Sequence, residues 1–302
     1  MQAPACVPTR VISKSELIIN DDGTVFHLHL LPGQLSDKIV LVGDPERVSL
    51  VASHFDTIEI EARNREFHCI TGSYGGKRVS VVSHGIGTDN IDIVLTELDA
   101  LFNIDFKTRQ VKNEIQTLTL IRIGTSGSLQ PYLPVGSHCI SAVSIGLDTV
   151  LHYYEGGDRV IDHDISNQFV DHTKWDTRCG YPYAVHADAE LISRFEHAGD
   201  DYVLIHRGMT LSAVGFYGPQ GRELRLPLMN PGLNESIEQF SYQERRITNY
   251  EMESSALAGL SALLGHKAVT ICTIIANRFI KTALPNYKTA VDNLIKEVLK
   301  KI

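Results

Sequence analysis

The stretch KIVLVGDPER, residues 38–47, decides the fold because it joins a buried strand to a helix. Its first half, residues 38–42, is almost entirely Val, Ile and Leu, which is typical of a strand covered on both faces. Asp44 can accept a hydrogen bond from the first turn of a helix, and Pro45 suits the first helical position. Gly43 lets the backbone approach a ligand, although a plain strand-to-helix turn explains the same residues. The stretch predicts a β–α unit whose turn is a candidate binding site.

Strands and helices alternate along the rest of the chain. Apolar runs predict further strands at 78–83, 118–123, 203–211 and 267–276. Apolar residues at helical spacing predict helices at 89–103, 254–264 and 285–302, the second of them capped by Gly265. This alternation predicts an α/β fold, a three-layer α/β/α sandwich around a central sheet. We expect one domain, residues 21–302, after a flexible N-terminal tail at residues 1–20.

The charge balance excludes some classes of partner. Across 302 residues, 28 Lys and Arg face 36 Asp and Glu, which gives a net charge of −8. A surface that binds nucleic-acid polymers is basic, so we expect no such partner. No apolar run reaches the roughly 18 residues of a membrane span, and no secretory signal is recognisable at the start. Five scattered cysteines without a C-x-x-C pair indicate free thiols, so we expect a cytoplasmic protein.

Two more segments repeat the pattern of an apolar strand followed by glycine. Residues 83–90 read SHGIGTDN, which begins like a dinucleotide-binding turn but has Asn90 in place of its third glycine. Residues 122–127 read RIGTSG, so an arginine ends a buried strand and a polar turn is expected to follow. The N–H groups and hydroxyls of such a turn suit an anion, and Arg122 can bind a phosphate through two parallel hydrogen bonds. Pairing of Arg122 with a structural carboxylate explains the residue equally well.

The motifs of this chain occur together, and in the same order, in one known family. They are FHL at 26–28, GDPERV at 43–48, REF at 65–67, GIG at 85–87, RIGTSG at 122–127, FYGPQGR at 216–222, NYEMES at 249–254 and ANR at 276–278. The chain resembles the uridine phosphorylase branch of the nucleoside phosphorylase superfamily, its hexameric family. The resemblance implies a central mixed β-sheet and homodimers that usually assemble into homohexamers. Residues 147–184 and 226–248 match no motif, and their role stays open.

The resemblance also implies a set of residues for each part of the reaction. It assigns the phosphate to Gly43, Arg47, Arg122 and Thr125, with Arg65 supplied by a neighbouring subunit. It assigns the ribose to Thr125, Glu251, Met252 and Glu253, with His27 of the neighbour at the 5′-hydroxyl. It assigns the base to Phe216, Gln220, Arg222, Ile275 and Arg278. It implies that Arg122, Glu253, Gln220 and Arg222 carry the catalysis. Some relatives bind a monovalent cation such as K⁺ at the dimer interface, which corresponds here to Glu66, Ile86 and Asn90, the last often serine in relatives.

Phosphorolysis is consistent with these residue types. Phosphate attacks the anomeric carbon as uracil leaves, through an oxocarbenium-like state, so the anion needs cations and the ribose a carboxylate such as Glu253. Gln220 and Arg222 would point the same way on an extended segment and offer hydrogen bonds to the departing base. Glu251 and Glu253 have the same spacing, and they would converge on a strand but diverge on a helix. A capping box from Thr248 to Glu251 is an equally good interpretation of that segment.

Two other functions compete with this one. A purine nucleoside phosphorylase of the superfamily carries an aspartate late in the chain to protonate the purine, but residues 274–278 read IIANR. A non-catalytic nucleoside-binding paralogue would have lost its phosphate arginines or its ribose carboxylate, and Arg47, Arg65, Arg122 and Glu253 are all present. We therefore expect uridine, uracil, ribose 1-phosphate and inorganic phosphate as ligands, a role in pyrimidine salvage, and no required cofactor.

Overall fold

The computed structural model describes residues 10–196 and 205–302. Its strands are β1 (Lys38–Val42), β2 (Thr57–Asn64), β3 (Phe67–Tyr74), β4 (Lys77–Ser83), β5 (Ile104–Asp105), β6 (Gln110–Val111), β7 (Thr119–Ser128), β8 (His138–Gly146), β9 (Tyr183–His186), β10 (Ile205–Ser212), β11 (Ser241–Tyr242), β12 (Arg245–Glu251), β13 (Lys267–Asn277) and β14 (Thr282–Ala283). Its helices are α1 (Pro45–Ala52), α2 (Thr88–Asn103), α3 (His163–Thr173), α4 (Ala189–Glu196), α5 (Leu233–Gln239), α6 (Ser254–Leu264) and α7 (Lys288–Lys301).

One large mixed sheet forms the centre of the molecule. It runs in the order β11–β12–β10–β8–β13–β7–β1–β4–β3–β2, with β9 beside β8 and β14 beside β13. Strand β1 pairs in parallel with β4 and β7, and β7 pairs in parallel with β13. The carboxyl ends of these four strands therefore meet at one edge of the sheet, which is where open α/β sheets bind ligands.

Helices cover both faces of this sheet. Alternate residues of β1 point to opposite layers, so Leu41 packs in the cluster that contains α2 and α6, and Val42 in the cluster that contains α1, α4 and α7. A third cluster lies beneath α3 and α5. The three-layer α/β/α sandwich with a mixed sheet is confirmed. No helix in the two described ranges has both the length and the apolar character that a membrane crossing needs.

Local signals predicted two of the helix caps. The Asp44 side chain accepts a hydrogen bond from the Glu46 N–H at 2.9 Å, and Pro45 is the first residue of α1. Helix α6 spans Ser254–Leu264, and Gly265 follows it in the left-handed conformation at φ +80°. Both caps are therefore confirmed. The last helix begins later than predicted, at Lys288.

Strand β7 corrects one prediction at the centre of the site. The sequence predicts that the strand ends at Ile123 and that a polar turn follows, but β7 continues to Ser128. Its second half pairs with β13, and Gly127 also pairs with β12. The glycine, threonine and serine residues of this segment are thus held by ladders on neighbouring strands, and they do not form an anion-binding nest. Strands β2, β3, β8 and β12 carry polar residues among the apolar ones and were not predicted.

Two other regions differ from their predictions or were left open. Residues 10–20 do not form a flexible tail, because Leu17 is buried in the core and the Arg109 guanidinium donates hydrogen bonds to the carbonyls of Ile12, Ser13 and Leu17. Residues 1–9 of the predicted tail, and residues 203–204 of the predicted strand, lie outside the described residues. Residues 147–184 contain α3 and β9, and residues 226–248 contain α5 and β11.

Candidate active site

A cavity of about 690 Å³ lies at the edge where the parallel strands end. Residues from β7, β12 and β13, from the turn between β1 and α1, and from the loop between β4 and α2 line it. The predicted site residues that line it are Gly43, Arg47, Glu66, Ile86, Asn90, Arg122, Thr125, Phe216, Gln220, Arg222, Glu251, Met252, Glu253 and Ile275. Residues far apart in the sequence therefore converge on one cavity.

Arg122 is buried and has a partner on each of its three guanidinium nitrogens. Its Nη1 donates to Glu251 Oε2 at 2.9 Å, its Nη2 forms a short ion pair with Glu253 Oε2, and its Nε donates to His84 Nε2 at 3.1 Å. The sequence left open whether Arg122 binds an anion or pairs with a structural carboxylate. It pairs with two carboxylates, and it also lines the cavity.

Gly124 makes this arrangement of the arginine possible. A Cβ atom on Gly124 would lie 2.7 Å from Arg122 Nη1 and 2.7 Å from Cys272 Sγ. The guanidinium therefore lies across the backbone of Gly124, in space that any other residue would fill. The register of the sheet pairs Cys272 with Gly124, which brings the thiol within 3.7 Å of Arg122 Nη1.

Glu251 holds the arginine and also caps a helix. Besides Arg122, its carboxylate accepts hydrogen bonds from the N–H groups of Glu253 and Ser254 and from the hydroxyl of Ser212. The segment is extended through Glu251, and α6 begins after Glu253, which resolves the alternative that the sequence left open. The capping box from Thr248 is wrong, since Thr248 lies within β12. Glu251 instead accepts from N–H groups at the start of the helix that follows it.

Glu253 lines the cavity, and both of its carboxylate oxygens are hydrogen-bonded within the protein. Oε1 accepts the Gly87 N–H at 2.8 Å, and Oε2 pairs with Arg122. Each carboxylate oxygen can accept more than one hydrogen bond, so the group can still bind hydroxyls. Burial raises the pKa of Glu253, and Arg122 opposes that shift. Burial alone would lower the pKa of Arg122, but Glu253 and Glu251 raise it above its usual value, so this arginine stays charged.

Arg47 is the second cation that reaches this end of the cavity. Its Nη1 donates to the Ile123 carbonyl at 3.2 Å, and within the described ranges it forms no salt bridge. Burial lowers its pKa, and the nearby Arg122 acts in the same direction. An anion bound beside Gly43 and Thr125 would therefore meet Arg47 as a cation that no carboxylate neutralises.

The opposite end of the cavity is formed by Phe216, Gln220 and Arg222. Arg222 Nη1 donates to Gln220 Oε1 at 2.6 Å, and its guanidinium carbon lies 3.8 Å from the centroid of the Phe216 ring. The predicted extended geometry is wrong, because residues 218–220 form a short 3-10 helix and Gly221 is left-handed at φ +65°. The two side chains converge through a turn instead. Burial, and then the charge of Arg278, lower the pKa of Arg222 to about 10.

Three predicted site residues do not line the cavity. Arg278 lies next to Tyr250, which lines the cavity, with its guanidinium carbon 5.6 Å from the centroid of the Tyr250 ring. His27 and Arg65 lie together elsewhere, and both are close to Phe26. The guanidinium carbon of Arg65 is 5.6 Å and the ring centroid of His27 is 4.8 Å from the Phe26 ring centroid. His27 Nδ1 is 2.6 Å from Glu97 Oε1. We call Phe26, His27 and Arg65 the surface patch.

Comparison with known proteins agrees with this geometry. Residues 37–300 match the family model of the phosphorylase superfamily. The chain belongs to the phosphorylase superfamily. Among phosphorylases of known sequence, it is 31% identical to a uridine phosphorylase of Thermococcus kodakarensis, over 85% of this chain and 79% of that protein. It is 26% identical to a purine nucleoside phosphorylase of Aliivibrio fischeri, over 82% of this chain and 84% of that protein.

A solved structure of the same superfamily is also similar. A Trypanosoma brucei nucleoside phosphorylase that shows uridine phosphorylase activity superposes with a TM-score of 0.83 at 29% identity, covering 95% of this chain and all of that one. A second solved structure, one of two uridine phosphorylases of Phytophthora capsici, has a TM-score of 0.66 at 22% identity and supports the fold alone. The phosphorylase fold of this chain is therefore shared with proteins of known structure.

The predicted cation ligands of this phosphorylase lie together beside Gly85. A Cβ atom on Gly85 would lie 2.4 Å from Asn90 Nδ2 and 3.0 Å from Glu66 Cγ. Asn90 Nδ2 lies 3.4 Å from the Ile86 carbonyl oxygen and donates to it. Among the described residues, no three His, Cys, Asp or Glu side chains could hold a metal ion.

The sequence did not point to several residues that shape this site. His84 precedes the GIG motif and contacts Arg122, Cys272 lies beneath Gly124, and Tyr250 and Tyr287 line the cavity. The position of His84 directly after a buried strand was the one available signal, because neighbouring parallel strands end at the same edge. Nothing in the spacing of the two tyrosines or of Cys272 indicates a contact with residues more than a hundred positions away.

Proposed function

We propose that this phosphorylase catalyses the reversible phosphorolysis of uridine to uracil and ribose 1-phosphate. The observation that carries the proposal is the convergence of Arg47, Arg122, Glu253 and the Gln220–Arg222 pair on one cavity. Several relatives are uridine phosphorylases and a structural neighbour shows uridine phosphorylase activity, which supports the same assignment. The enzyme would be a pentosyltransferase acting on nucleosides.

At the phosphate end, Arg47, the N–H groups of Arg122 that remain free, the backbone of Gly43 and the Thr125 hydroxyl would hold the nucleophile. An oxygen of the phosphate forms a bond to the anomeric carbon while the bond from that carbon to uracil N1 breaks, and the bonding electron pair leaves with the base. The developing positive charge on the ribose ring lies between the phosphate anion and Glu253. Pre-positioned charges of this kind stabilise the transition state most strongly where water is excluded.

The ribose would be oriented by Glu253, with Met252 against the sugar. Because Gly87 and Arg122 fix the two carboxylate oxygens, Glu253 presents acceptors to the ribose hydroxyls in one orientation. Glu251 contributes indirectly, since its carboxylate is occupied by Arg122, by Ser212 and by the start of α6. Its predicted role in ribose binding becomes one of holding Arg122.

The base end favours a pyrimidine over a purine. Gln220 and Arg222 can offer both an acceptor and donors to the edge of uracil, and negative charge that develops on the departing ring would meet the Arg222 guanidinium. Ile275 and Ala276 line the cavity where a purine-cleaving relative would need an acid. The carboxylates that line the cavity, Asp44, Glu66, Glu251 and Glu253, belong to the turn after β1, to the β2–β3 hairpin and to the end of β12.

The proposal includes assembly into homodimers, three to a hexamer. Arg122, Glu251 and Glu253 together carry one positive and two negative charges when ionised, so among the described residues of one chain Arg47 is the arginine at the phosphate end that forms no salt bridge. Arg65, which is exposed and whose described contact is the Phe26 ring, would supply the missing charge from a second copy. His27 of the same copy would reach the ribose 5′-hydroxyl.

The setting of the enzyme is part of the proposal. We assign it to pyrimidine salvage, with inorganic phosphate as co-substrate and without a required cofactor. Cys69, Cys139, Cys179 and Cys272 are all free thiols, which supports a reducing compartment such as the cytoplasm.

The experiment that tests the proposal follows uracil release from uridine with and without phosphate, with inosine and thymidine in parallel. We expect release that requires phosphate and a higher kcat/KM for uridine than for inosine. Release of uracil by water alone would refute phosphorolysis. Preference for inosine would refute the assignment to pyrimidines.

A further inference from the structure

His84 is a buried imidazole that the mechanism above does not use. It follows the last residue of β4, its exposed fraction is 0%, and its Nε2 lies 3.1 Å from Arg122 Nε. The carbon between its two ring nitrogens, Cε1, would lie 3.7 Å from a Cβ atom on Gly43. The His84 ring therefore lies next to Arg122 and Gly43, both of which line the cavity.

The contact with Arg122 fixes the protonation state of the ring. A guanidinium has donors only, so Nε2 must accept, and a histidine that accepts at Nε2 is neutral with its proton on Nδ1. A protonated ring would place a second positive charge against Arg122 and near Arg47. Burial, and then the charges of Arg122 and Arg47, keep the pKa of His84 well below its usual value.

His84 contacts the one guanidinium nitrogen of Arg122 that the two carboxylates do not contact. Glu251 and Glu253 hold the two terminal nitrogens, and both carboxylates belong to one segment that joins β12 to α6. His84 holds Nε from β4, on the other side of the sheet edge. With this third contact the planar guanidinium is fixed between two independent parts of the fold.

The ring also leaves a buried polar atom without a partner. Among the described residues, His84 Nδ1 makes no hydrogen bond, although it must carry the proton. A buried donor without a partner destabilises a fold, so an apolar side chain would serve better if packing were the only requirement. This points to a functional reason for an acceptor at this position.

We propose that His84 is a positioning residue, whose neutral imidazole accepts the Arg122 Nε–H and so fixes the guanidinium that helps to bind phosphate. The kinetic consequences of this inference rest on the proposed function. The tautomer of His84 does not depend on that function. His84 touches neither substrate, so its effect passes through Arg122.

Two substitutions of His84 separate its hydrogen bond from its volume. His84→Leu introduces an apolar side chain of similar size that has no hydrogen-bond acceptor. His84→Gln offers Oε1 as an acceptor. We expect the dissociation constant for phosphate, measured by equilibrium dialysis without nucleoside, to rise about 10-fold to 100-fold in His84→Leu. In His84→Gln it should return to within about threefold of the parent value. The KM for uridine should change less than the KM for phosphate in both variants.

A buried histidine elsewhere provides the matched control. His138 on β8 is 5% exposed, and its ring contacts Thr273 and not Arg122. His138→Leu should therefore leave phosphate binding unchanged even if it lowers the unfolding temperature. Equal weakening of phosphate binding in His84→Leu and His84→Gln, or none in His84→Leu, would refute the positioning role.

Neutron diffraction from a crystal of the parent protein tests the tautomer without reference to activity. We expect deuterium on His84 Nδ1 and none on Nε2. Deuterium on Nε2 would overturn the inference even if the protein proves to be a uridine phosphorylase. Absence of phosphate-dependent uracil release, with deuterium on Nδ1 alone, would instead refute the proposed function and leave the geometry of His84 and Arg122 standing.

Discussion

The cavity and the surface patch differ in how the chain holds their charged residues. In the cavity, Arg122 is buried and hydrogen-bonded on every guanidinium nitrogen, to Glu251, Glu253 and His84. In the surface patch, Arg65 is exposed, and its described contact is the ring of Phe26. The first arginine is part of the fold as well as of the site, while the second is presented to the outside.

This difference supports the proposal that a second copy of the chain completes the site. The ion network around Arg122 has a net charge of −1 when all three groups are ionised, so it does not by itself attract a phosphate. Arg47 is the cation that the chain adds to its own cavity. A phosphate carries about −1.5 to −2 charges near neutral pH, so a further arginine such as Arg65 is needed for balance. Substitutions that break the Arg122 ion network should therefore change stability and activity together, and substitutions in the surface patch should change activity alone.

The largest effect is expected from Arg122→Ala, which breaks the ion network. It should lower kcat/KM by about 100-fold to 1000-fold or more, because a pre-positioned cation is lost from the site. It should also lower the free energy of unfolding by about 3 to 5 kcal/mol, because two carboxylates stay buried without their cation. Arg222→Ala is the matched control, since Arg222 lines the same cavity but donates to Gln220 and has no carboxylate partner. It should lose activity and keep its stability.

The same variant should gain more stability on acidification than the parent does. Burial raises the pKa of Glu253 above its usual value of 4.5, and Arg122 is the group that opposes this shift. Without Arg122 the pKa of Glu253 should rise further, so the folded state binds this proton still more tightly than the unfolded state. The free energy of unfolding should therefore increase more than that of the parent as the pH falls toward 4.5. Urea unfolding across this range measures it. A free energy of unfolding that falls on acidification would show that the carboxylates do not lose their charge in the variant.

A smaller effect, on activity alone, is expected from Arg65→Ala in the surface patch. It should lower kcat/KM by about 100-fold, as expected for loss of one cation that contacts the transferred anion. The free energy of unfolding should stay within about 0.5 kcal/mol of the parent, because the side chain is exposed and has no buried partner. Arg63→Ala is the control on the same hairpin, since Arg63 is also exposed and pairs with Glu61. Equal loss of activity in Arg65→Ala and Arg63→Ala would show that the surface patch has no special role in activity.

The smallest effect is expected at the predicted cation ligands. Asn90 Nδ2 donates to the carbonyl of Ile86, another of the predicted ligands, so we expect that replacement of K⁺ by a large organic cation at constant ionic strength leaves kcat unchanged. Asn90→Ser removes the amide, and the kcat of this variant should increase when K⁺ is added. Activation of the parent protein by K⁺ would show that the amide gives way to a cation.

Local chemistry made the helices and the identity of the cavity predictable. Asp44 and Pro45 begin α1, and Gly265 ends α6, because caps depend on residues next to each other in the sequence. The resemblance then gave most of the residues that line the cavity, since eight motifs keep their order along the chain.

What could not be predicted depends on partners that are distant in the sequence. The RIGTSG segment was expected to turn, but ladders to β13 and β12 keep it extended. The partners of Arg122 come from the end of β4 and from the end of β12, and no spacing rule links them. The turn at Gly221, rather than strand alternation, brings Gln220 to Arg222.

The central claim is that the cavity of one copy and the surface patch of another form one site. Co-expression of Arg65→Ala and Glu253→Ala chains with two different tags, followed by isolation of mixed oligomers, tests it most directly. In an isolated mixed dimer one of the two sites combines an intact cavity with an intact patch, so about half of the parent activity should return. In a mixed hexamer whose dimers pair at random, about a quarter should return. Verified mixed oligomers with no more activity than the two single variants would contradict the claim.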